Sequence, residues 1–140
     1  MITSRVEEFL IEFHKGVLST RRKNGGSQLS IVTVGIIGGE MCFSTTEGRS
    51  KYHNLMRDPI CSLLVSKDDW WGYIVVEGKA KLQGNFNTAP EPLRKLHRKV
   101  YRETAGKDHP VWEEFDEAMI KDRRVVVVIQ PETVYGTALS

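Results

Sequence analysis

The segment from residue 43 to residue 58 carries the side chains with the clearest potential for chemistry. The strand predicted there ends in three hydroxyl residues, Ser44, Thr45 and Thr46. The chain then turns through Gly48 into a predicted helix with Arg49 and Lys51 in its first turn, where cations are unfavourable because a helix N-terminus is itself positive. Hydroxyls, helix N–H groups, an arginine and a lysine together could bind a phosphate. A hydroxyl-capped helix with solvated basic side chains explains the same pattern equally well.

A second group of candidates is aromatic and follows a charged loop. It consists of Trp70, Trp71 and Tyr73. These rings could form the wall of a site for a planar ligand. A plug in the core and a contact between subunits are equally good interpretations.

Other kinds of site are not indicated. The sequence has no G-x-S-x-G, H-E-x-x-H, Walker or G-x-G-x-x-G motif. The four histidines are scattered, and we expect partly solvated helix residues rather than ligands or bases: His14, His53, His97 and His109. The acidic run at 113–117 is expected to be a solvated helix face, and no metal site is predicted.

The charge balance argues against a nucleic-acid binder. Twenty Lys and Arg against eighteen Asp and Glu give a formal net charge of +2. One predicted helix has a basic face, made of Arg94, Lys95, Arg98, Lys99 and Arg102. Because an acidic helix follows and nearly cancels its charge, we expect a solvated or interface surface there.

Length and composition are typical of one globular domain, covering residues 1–140. The chain is 40% hydrophobic and 27% charged, and a core of this size needs no disulfide. Cys42 and Cys61 lie in apolar runs and are expected to be buried reduced thiols. No apolar stretch approaches 18 residues and the first residues do not form a signal peptide, so we expect a cytoplasmic protein that does not bind membranes.

The elements that must position these residues follow from periodicity and turn signals. Helices are predicted at about 4–15, with a capping box from Ser4 to Glu7, at 52–56, at about 91–103 and at about 111–121. Strands are predicted at 17–22, 28–37, 41–45, 60–66, 74–82, 125–130 and 134–137. The short turns between the first three strands predict an antiparallel meander. Strands that outnumber helices without strict alternation favour a mainly β (α+β) fold, a small antiparallel barrel of six or seven strands with short flanking helices.

The order of these motifs resembles the pyridoxamine-phosphate-oxidase-like split β-barrel superfamily. The match is closest to its branch of small reductases that use the deazaflavin coenzyme F420. The central motif is carried by Phe43-Ser44-Thr45-Thr46, Gly48-Arg49-Ser50-Lys51, Asn54-Leu55, Arg57-Asp58-Pro59 and Ser62-Leu63-Leu64-Val65. Weaker matches lie at 17–20, 28–30, 76–80 and 125–132, so the resemblance spans about residues 16–137.

The resemblance implies a homodimer that binds a flavin or deazaflavin at the subunit interface. It assigns the cofactor phosphate to the segment 44–51, through Ser44, Thr45, Thr46, Arg49, Ser50 and Lys51. It places the ring system along the second strand, at Gln28, Ser30, Ile31 and Val32, with backbone groups meeting its polar edge. Relatives often have a proline a few residues after the glutamine, where this chain has Ile31 or Val32. Candidates for the cofactor tail are Arg21, Arg22 and Lys23.

The function implied is an F420H2-dependent reductase that transfers hydride to a conjugated electron-poor acceptor such as an enone, a quinone or a tetrapyrrole. Trp70, Trp71 and Tyr73 are then expected to contact the acceptor. An FMN-binding oxidoreductase on the same barrel is the nearest alternative. A non-catalytic carrier of F420, a flavin or a tetrapyrrole is the alternative from another class.

Overall fold

The structure is a computed structural model that describes residues 2–139. Its helices are α1 (Ser4–Glu12), α2 (Ser50–Arg57), α3 (Pro90–Ala105) and α4 (Trp112–Lys121), and a short 3-10 helix covers Thr137–Leu139. Its strands are β1 (Lys15–Arg21), β2 (Ser27–Thr33), β3 (Gly35–Ile37), β4 (Glu40–Thr46), β5 (Ile60–Ser66), β6 (Tyr73–Gln83) and β7 (Arg124–Tyr135). None of these helices is long and apolar enough to cross a membrane.

The seven strands form one sheet in the order β2-β1-β5-β6-β7-β4-β3, and all neighbouring strands are antiparallel. The sheet curls into a half-barrel. The predicted fold class, an antiparallel split β-barrel with short flanking helices, is therefore confirmed.

The predicted meander of the first three strands is wrong. The predicted strand 28–37 is two strands, β2 and β3, which lie at opposite edges of the sheet. The break falls at Val34, which is fully buried and donates its N–H to the carbonyl oxygen of His14 at 2.6 Å. That bond continues the register of β2 against β1 by one residue. Beyond the buried Val34 the chain leaves β1, and the next hairpin, β3–β4, joins the other edge.

The C-terminal strands predicted at 125–130 and 134–137 are a single strand, β7. The register against β6 shifts between Glu77 and Gly78, and Pro131 lies opposite Gly78. A Cβ at position 78 would lie 2.0 Å from the carbonyl oxygen of Gln130, so this close approach requires glycine. The proline therefore marks a β-bulge within one strand rather than a corner between two.

Helix α1 differs from the prediction at both ends. Thr3, not Ser4, is its N-cap, and the Thr3 hydroxyl accepts a hydrogen bond from the Val6 N–H at 3.4 Å. The helix ends at Glu12 because residue 15 already belongs to β1. Helix α3 ends as expected for its sequence, at Gly106 in the left-handed conformation with φ 73°.

The main core lies inside the curl of the sheet and beneath α1. Its largest fully buried side chains include Leu10, Leu18, Phe43, Leu63, Ile74 and Ile129. A second, smaller cluster lies under α3 on the other face of β4 and β7, around Cys42, Val100, Val126 and Val128. Burial on both faces explains the uninterrupted apolar run of β7.

The two cysteines are buried and free, as predicted. Burial raises the pKa of the Cys42 and Cys61 thiols to about 12. Both therefore stay protonated at neutral pH and behave as small apolar core residues.

Candidate functional site

A cavity of about 530 Å³ opens where β2, the end of β4, the start of α2 and the start of β7 meet. Its lining includes Ser30, Ile31, Val32, Ser44, Thr45, Thr46, Arg49 and Lys51, all of which the sequence predicted as site residues. Thr33, at the end of the strand predicted to lie along the ring, also lines it, and Thr104 and Arg124, which were not predicted, complete the lining. Since its charged side chains are three cations, we call it the cationic cavity.

The start of α2 has the exposed N–H groups that the sequence predicted. Arg49 is the N-cap, in an extended conformation, and no side chain accepts a hydrogen bond at this helix start. The backbone instead turns tightly, with the Arg49 N–H donating to the Thr46 carbonyl oxygen at 3.1 Å. The structure therefore does not contain the hydroxyl-capped helix that was the alternative interpretation.

The three cations of the cavity have no acidic partner among residues 2–139. Arg49, Lys51 and Arg124 make no ion pair there, and no carboxylate lines the cavity. The nearby Glu47 is paired instead with Arg123, at 2.9 Å. Burial lowers the pKa of Lys51, and the charges of Arg49 and Arg124 lower it further. An anion bound here would offset this repulsion.

Three polar atoms of the cavity residues are buried and have no hydrogen-bond partner among the described residues. They are the Ser44 hydroxyl, the Thr45 hydroxyl and Nε of Arg124. Buried polar atoms are almost always hydrogen-bonded, so an unpartnered cluster calls for an explanation. A phosphate supplies several acceptor oxygens and negative charge, and these residues fit it on both counts.

Arg124 reaches the cavity through the register of the sheet. It is the first residue of β7 and lies opposite Thr46, the last residue of β4. Arg123 before it adopts the left-handed conformation, with φ 52°, and binds Glu47 on the outside. In the sequence, Arg124 is visible only as part of an Arg-Arg pair far from the 44–51 segment. A correct prediction of the register of β7 against β4 would have identified Arg124 as a residue of the cavity.

Thr104 reaches the cavity because α3 packs closely on β3. A Cβ at Gly35 would lie 2.8 Å from Cβ of Glu103. Only a glycine strand residue permits this approach of the helix. Nothing in the amphipathic pattern of α3 predicts which of its residues faces the cavity.

Two predicted site residues, Gln28 and Ser50, do not line the cavity. The Gln28 side-chain oxygen accepts a hydrogen bond from Nδ2 of Asn54 at 3.2 Å, and the same nitrogen lies 3.1 Å from the Thr20 hydroxyl, to which it also donates. Arg57 donates to the Asn54 side-chain oxygen at 3.2 Å. This Asn54 network fastens α2 to β1 and β2, and so fixes the helix start relative to the strand.

The tail candidates Arg21, Arg22 and Lys23 do not line the cationic cavity either. Arg21 lies 4.0 Å from the Asp58 carboxylate. The carbonyl oxygen of Arg21 accepts a hydrogen bond from Arg57 at 2.5 Å. These basic residues lie at the turn between β1 and β2, where Arg21 contacts the end of α2.

The predicted aromatic group lies on the outside of the sheet. Trp70 and Tyr73 line an open depression of about 520 Å³ together with Val17, Leu29, Leu64 and Tyr135, which we call the outer apolar face. Trp71 is 83% exposed and does not line it. The core-plug interpretation is therefore wrong for Trp70 and Trp71.

The expectation of partly solvated histidines is wrong for His97. Its side chain on α3 is only 5% exposed, and its Nδ1 has no hydrogen-bond partner among the described residues. Burial lowers the pKa of His97 to about 4, with a contribution from Arg124 that Asp116 partly opposes. His14 is half-buried and its Nδ1 bonds the Val34 carbonyl oxygen at 2.8 Å. Both differ from the pattern expected of helix-surface residues.

The three arginines on the basic face of α3 are paired with acidic partners. The pairs are Arg94 with Glu91, Arg98 with Asp116, and Arg102 with Asp108. Asp116 is thereby half-buried rather than solvated, unlike the rest of the acidic run on α4. Within residues 2–139, no group of three or more His, Cys, Asp and Glu side chains could hold a metal ion.

Comparison with known proteins adds independent findings. Residues 2–138 match the family model described as pyridoxamine 5'-phosphate oxidase. A conserved hypothetical protein from Mycobacterium tuberculosis superposes with a TM-score of 0.79 at 24% identity, over 97% of this chain and 84% of that one. A structure named F420 reductase superposes with a TM-score of 0.66 at 23% identity, over 96% and 98% of the two chains. A heme binding protein from Mycobacterium smegmatis superposes with a TM-score of 0.69 at 18% identity, over 99% of this chain and 55% of that one.

Proposed function

The chain belongs to the pyridoxamine 5'-phosphate oxidase family, and we propose that it is an F420H2-dependent reductase that binds the deazaflavin at a homodimer interface. The fold is the one used by oxidoreductases of this type. The choice of F420 rests on the resemblance of segment 43–65 to the F420-using branch. The structural similarity to an F420 reductase agrees with it.

The cationic cavity is the observation that carries this proposal. Within the described residues, Arg49, Lys51 and Arg124 make no ion pair, and the hydroxyls of Ser44 and Thr45 lack hydrogen-bond partners. Arg124 Nε and the two hydroxyls would donate to phosphate oxygens, while Lys51 would supply a nearby point charge. Exposed N–H groups at the start of α2 add a favourable dipole.

The strand β2 is suited to hold the ring system. It is an edge strand, so backbone N–H and C=O groups on its outer side are not used by another strand. These groups can bond the polar edge of a heterocycle. Ser30 and Val32 line the cationic cavity, so a ring held along β2 would lie next to a phosphate bound there.

The outer apolar face supports the homodimer. Leu29, Ile31 and Trp70 are each more than 60% exposed, which is unusual for apolar side chains grouped on one sheet face. A second copy covering this face would bury them and would close the site over β2. Trp70 and Tyr73 would then contact the acceptor, and Trp71 would lie at the rim.

When bound, the reduced deazaflavin supplies the hydride. The chain's own residues bind the phosphate, orient the ring and exclude water from the reacting face. No acid–base pair lines the cationic cavity, so we expect the acceptor to take its proton from water or from a hydroxyl group.

An FMN-dependent oxidoreductase is the second candidate, because the cationic cavity suits the phosphate of FMN equally well. A carrier without turnover is the third, and the similarity to a heme binding protein is the observation in its favour. The three candidate functions share the same fold and differ in the ligand bound.

The test is a fluorescence titration of the purified protein with F420 and, separately, with FMN. We expect micromolar or tighter binding of F420 and much weaker binding of FMN. The reverse preference would make this an FMN protein, and tight binding of either without reduction of any acceptor would indicate a carrier. Binding of neither would refute the phosphate site in segment 44–51.

A further inference from the structure

A second cavity, of about 540 Å³, lies beneath α3 and α4 against the start of β7. Its volume is within the range of small-molecule sites, roughly 300–1,000 Å³. It meets the cationic cavity only at a shared wall of Ser44, Thr104 and Arg124. The rest of its lining plays no part in the proposed function. We call it the α3–α4 cavity.

One wall of this cavity is aromatic. Tyr101, His109 and Phe115 line it and pack on one another, with ring centroids 5.2 to 5.4 Å apart. Trp112 supports them from behind, 5.3 Å from Phe115 and 5.9 Å from Tyr101. Such a group offers ring edges and faces to a planar aromatic ligand.

Three of the residues that line this cavity each have a buried polar atom without a partner in the described part of the chain. His97 is 95% buried, and its Nδ1 has no hydrogen-bond partner among residues 2–139. The buried Nε of Arg124 and the Ser44 hydroxyl are also unpartnered. Leaving such atoms unsatisfied is costly, so the arrangement points to a ligand that hydrogen-bonds to them.

The charges that line the cavity favour a monoanion over a multiply charged ligand. Among residues 2–139, Arg124 is the one permanent cation of the lining, which also includes the exposed Glu114. His97 is neutral at pH 7, since burial and Arg124 lower its pKa to about 4. The imidazole therefore adds a hydrogen bond rather than a second positive charge.

We propose that the α3–α4 cavity binds an aromatic carboxylate. The carboxylate would lie on Arg124, Ser44 and His97, and the ring would pack against Tyr101 and Phe115. This site is separate from the ring position proposed on β2, but it shares Arg124 and Ser44 with the proposed phosphate site. The aromatic carboxylate and the cofactor phosphate would therefore compete for these two residues, and the inference concerns the cofactor-free chain.

The probe is 2-naphthoate, added to the full chain and followed by calorimetry and by the indole N–H signals of the three tryptophans. We expect saturable binding that shifts the Trp112 signal, while Trp70 and Trp71 on the outside of the sheet serve as internal controls. The neutral 2-naphthamide and the non-planar decahydro-2-naphthoate should each bind at least about tenfold more weakly, because each lacks one of the two recognised features.

Two α4 variants locate the site. Ala118→Phe fills the cavity, and we expect it to weaken 2-naphthoate binding at least about tenfold. Ile120→Phe is the matched control, because Ile120 is 69% exposed on the same helix and does not line this cavity. Arg124→Gln should weaken the binding of 2-naphthoate but not that of 2-naphthamide, a charge-specific effect that a change in packing does not produce.

The proposal is overturned if 2-naphthoate shows no saturable binding, or if it shifts Trp70 or Trp71 instead of Trp112. It is also overturned if Ala118→Phe, with an unchanged unfolding temperature, binds 2-naphthoate like the wild type. The 2-naphthoate measurements use the cofactor-free chain and the cofactor titration is a separate measurement, so the failure of one proposal is distinguishable from the failure of the other.

Discussion

Two groups of basic side chains in this molecule have opposite surroundings. On α3 each arginine has a carboxylate partner, and Arg98 and Arg102 also lie over the Trp112 ring at 5.2 and 4.7 Å. In the cationic cavity, Arg49, Lys51 and Arg124 have no such partner among residues 2–139. The difference separates charges that serve the folded structure from charges kept available for a ligand.

The pKa shifts of Arg98 on α3 and of Lys51 in the cationic cavity have opposite directions. The hydrogen bond between Arg98 and Asp116 raises the pKa of Arg98 and lowers that of Asp116, so the fold favours both charges. Burial and neighbouring cations lower the pKa of Lys51, so the fold disfavours its charge. Unfavourable charge at a site is typical where binding, rather than stability, is selected.

The largest expected effect comes from removing a charge of the cationic cavity. Lys51→Met should weaken cofactor binding by about 1.5–3 kcal/mol, or roughly tenfold to a hundredfold, because a hydrogen bond to a charged group is lost. The measurement is the fluorescence titration with F420 and FMN. Arg49→Ala is expected to act in the same direction.

Arg98→Met is the matched control from the paired group. We expect it to leave cofactor affinity unchanged and to lower the unfolding temperature, because Asp116 loses its partner. Equal losses of affinity in Lys51→Met and Arg98→Met would mean that the two groups do not differ in function.

The next effect concerns the placement of the cationic cavity rather than its charge. Asn54→Leu should lower the free energy of unfolding by about 1–3 kcal/mol, because the buried Thr20 hydroxyl and the Gln28 side chain lose their hydrogen bond. Cofactor affinity should also fall, since α2 carries Arg49 and Lys51. Denaturant unfolding and the same titration measure the two effects.

His53→Leu is the control for Asn54, being the exposed neighbouring residue on the same helix. It should change neither stability nor affinity appreciably. If Asn54→Leu is as stable as this control, the Asn54 network does not hold the helix in place.

The smallest expected effect is on stability at acidic pH and involves His97. The charge of Arg124 lowers the pKa of His97 and that of Asp116 raises it. The ordinary pKa of histidine is 6.5, and that of His97 is lowered to about 4 in the folded state. Between these values the unfolded chain binds a proton that the folded chain does not, so stability falls as the pH decreases from 6.5 to 4. His97→Gln should lose less stability over this range in thermal unfolding, and an identical pH profile would contradict the assignment.

The sequence predicted the local part of the cationic cavity and missed the distant part. Residues 44–51 are adjacent in the chain, and a strand end, a glycine turn and a helix start bring them together without tertiary information. Arg124 depends on the register of β7 against β4, which periodicity does not contain. Gln28 was assigned to the cofactor by the family resemblance, and its hydrogen bond to Asn54, which crosses between elements, leaves no local pattern in the sequence.

The fold class was predictable because alternation and short turns specify antiparallel strands. The predicted meander failed at Val34, whose apolar side chain looks like one more strand residue although the chain there passes to the other edge of the sheet. The burial of His97 was missed for a similar reason. The sequence pattern of the amphipathic helix α3 does not show that the side of the helix that carries His97 packs over β4 and β7.

The position of β7 between β4 and β6 also has a consequence for how the protein is made. Apart from its hairpin partner β3, β4 pairs with no strand other than β7, and Arg124 is the first residue of β7. During synthesis the β3–β4 hairpin therefore has no neighbouring strand in the sheet until β7 has left the ribosome. The cationic cavity is complete only once β7 has been made, so a ligand bound there cannot act as a nucleus for the folding of the strands before it.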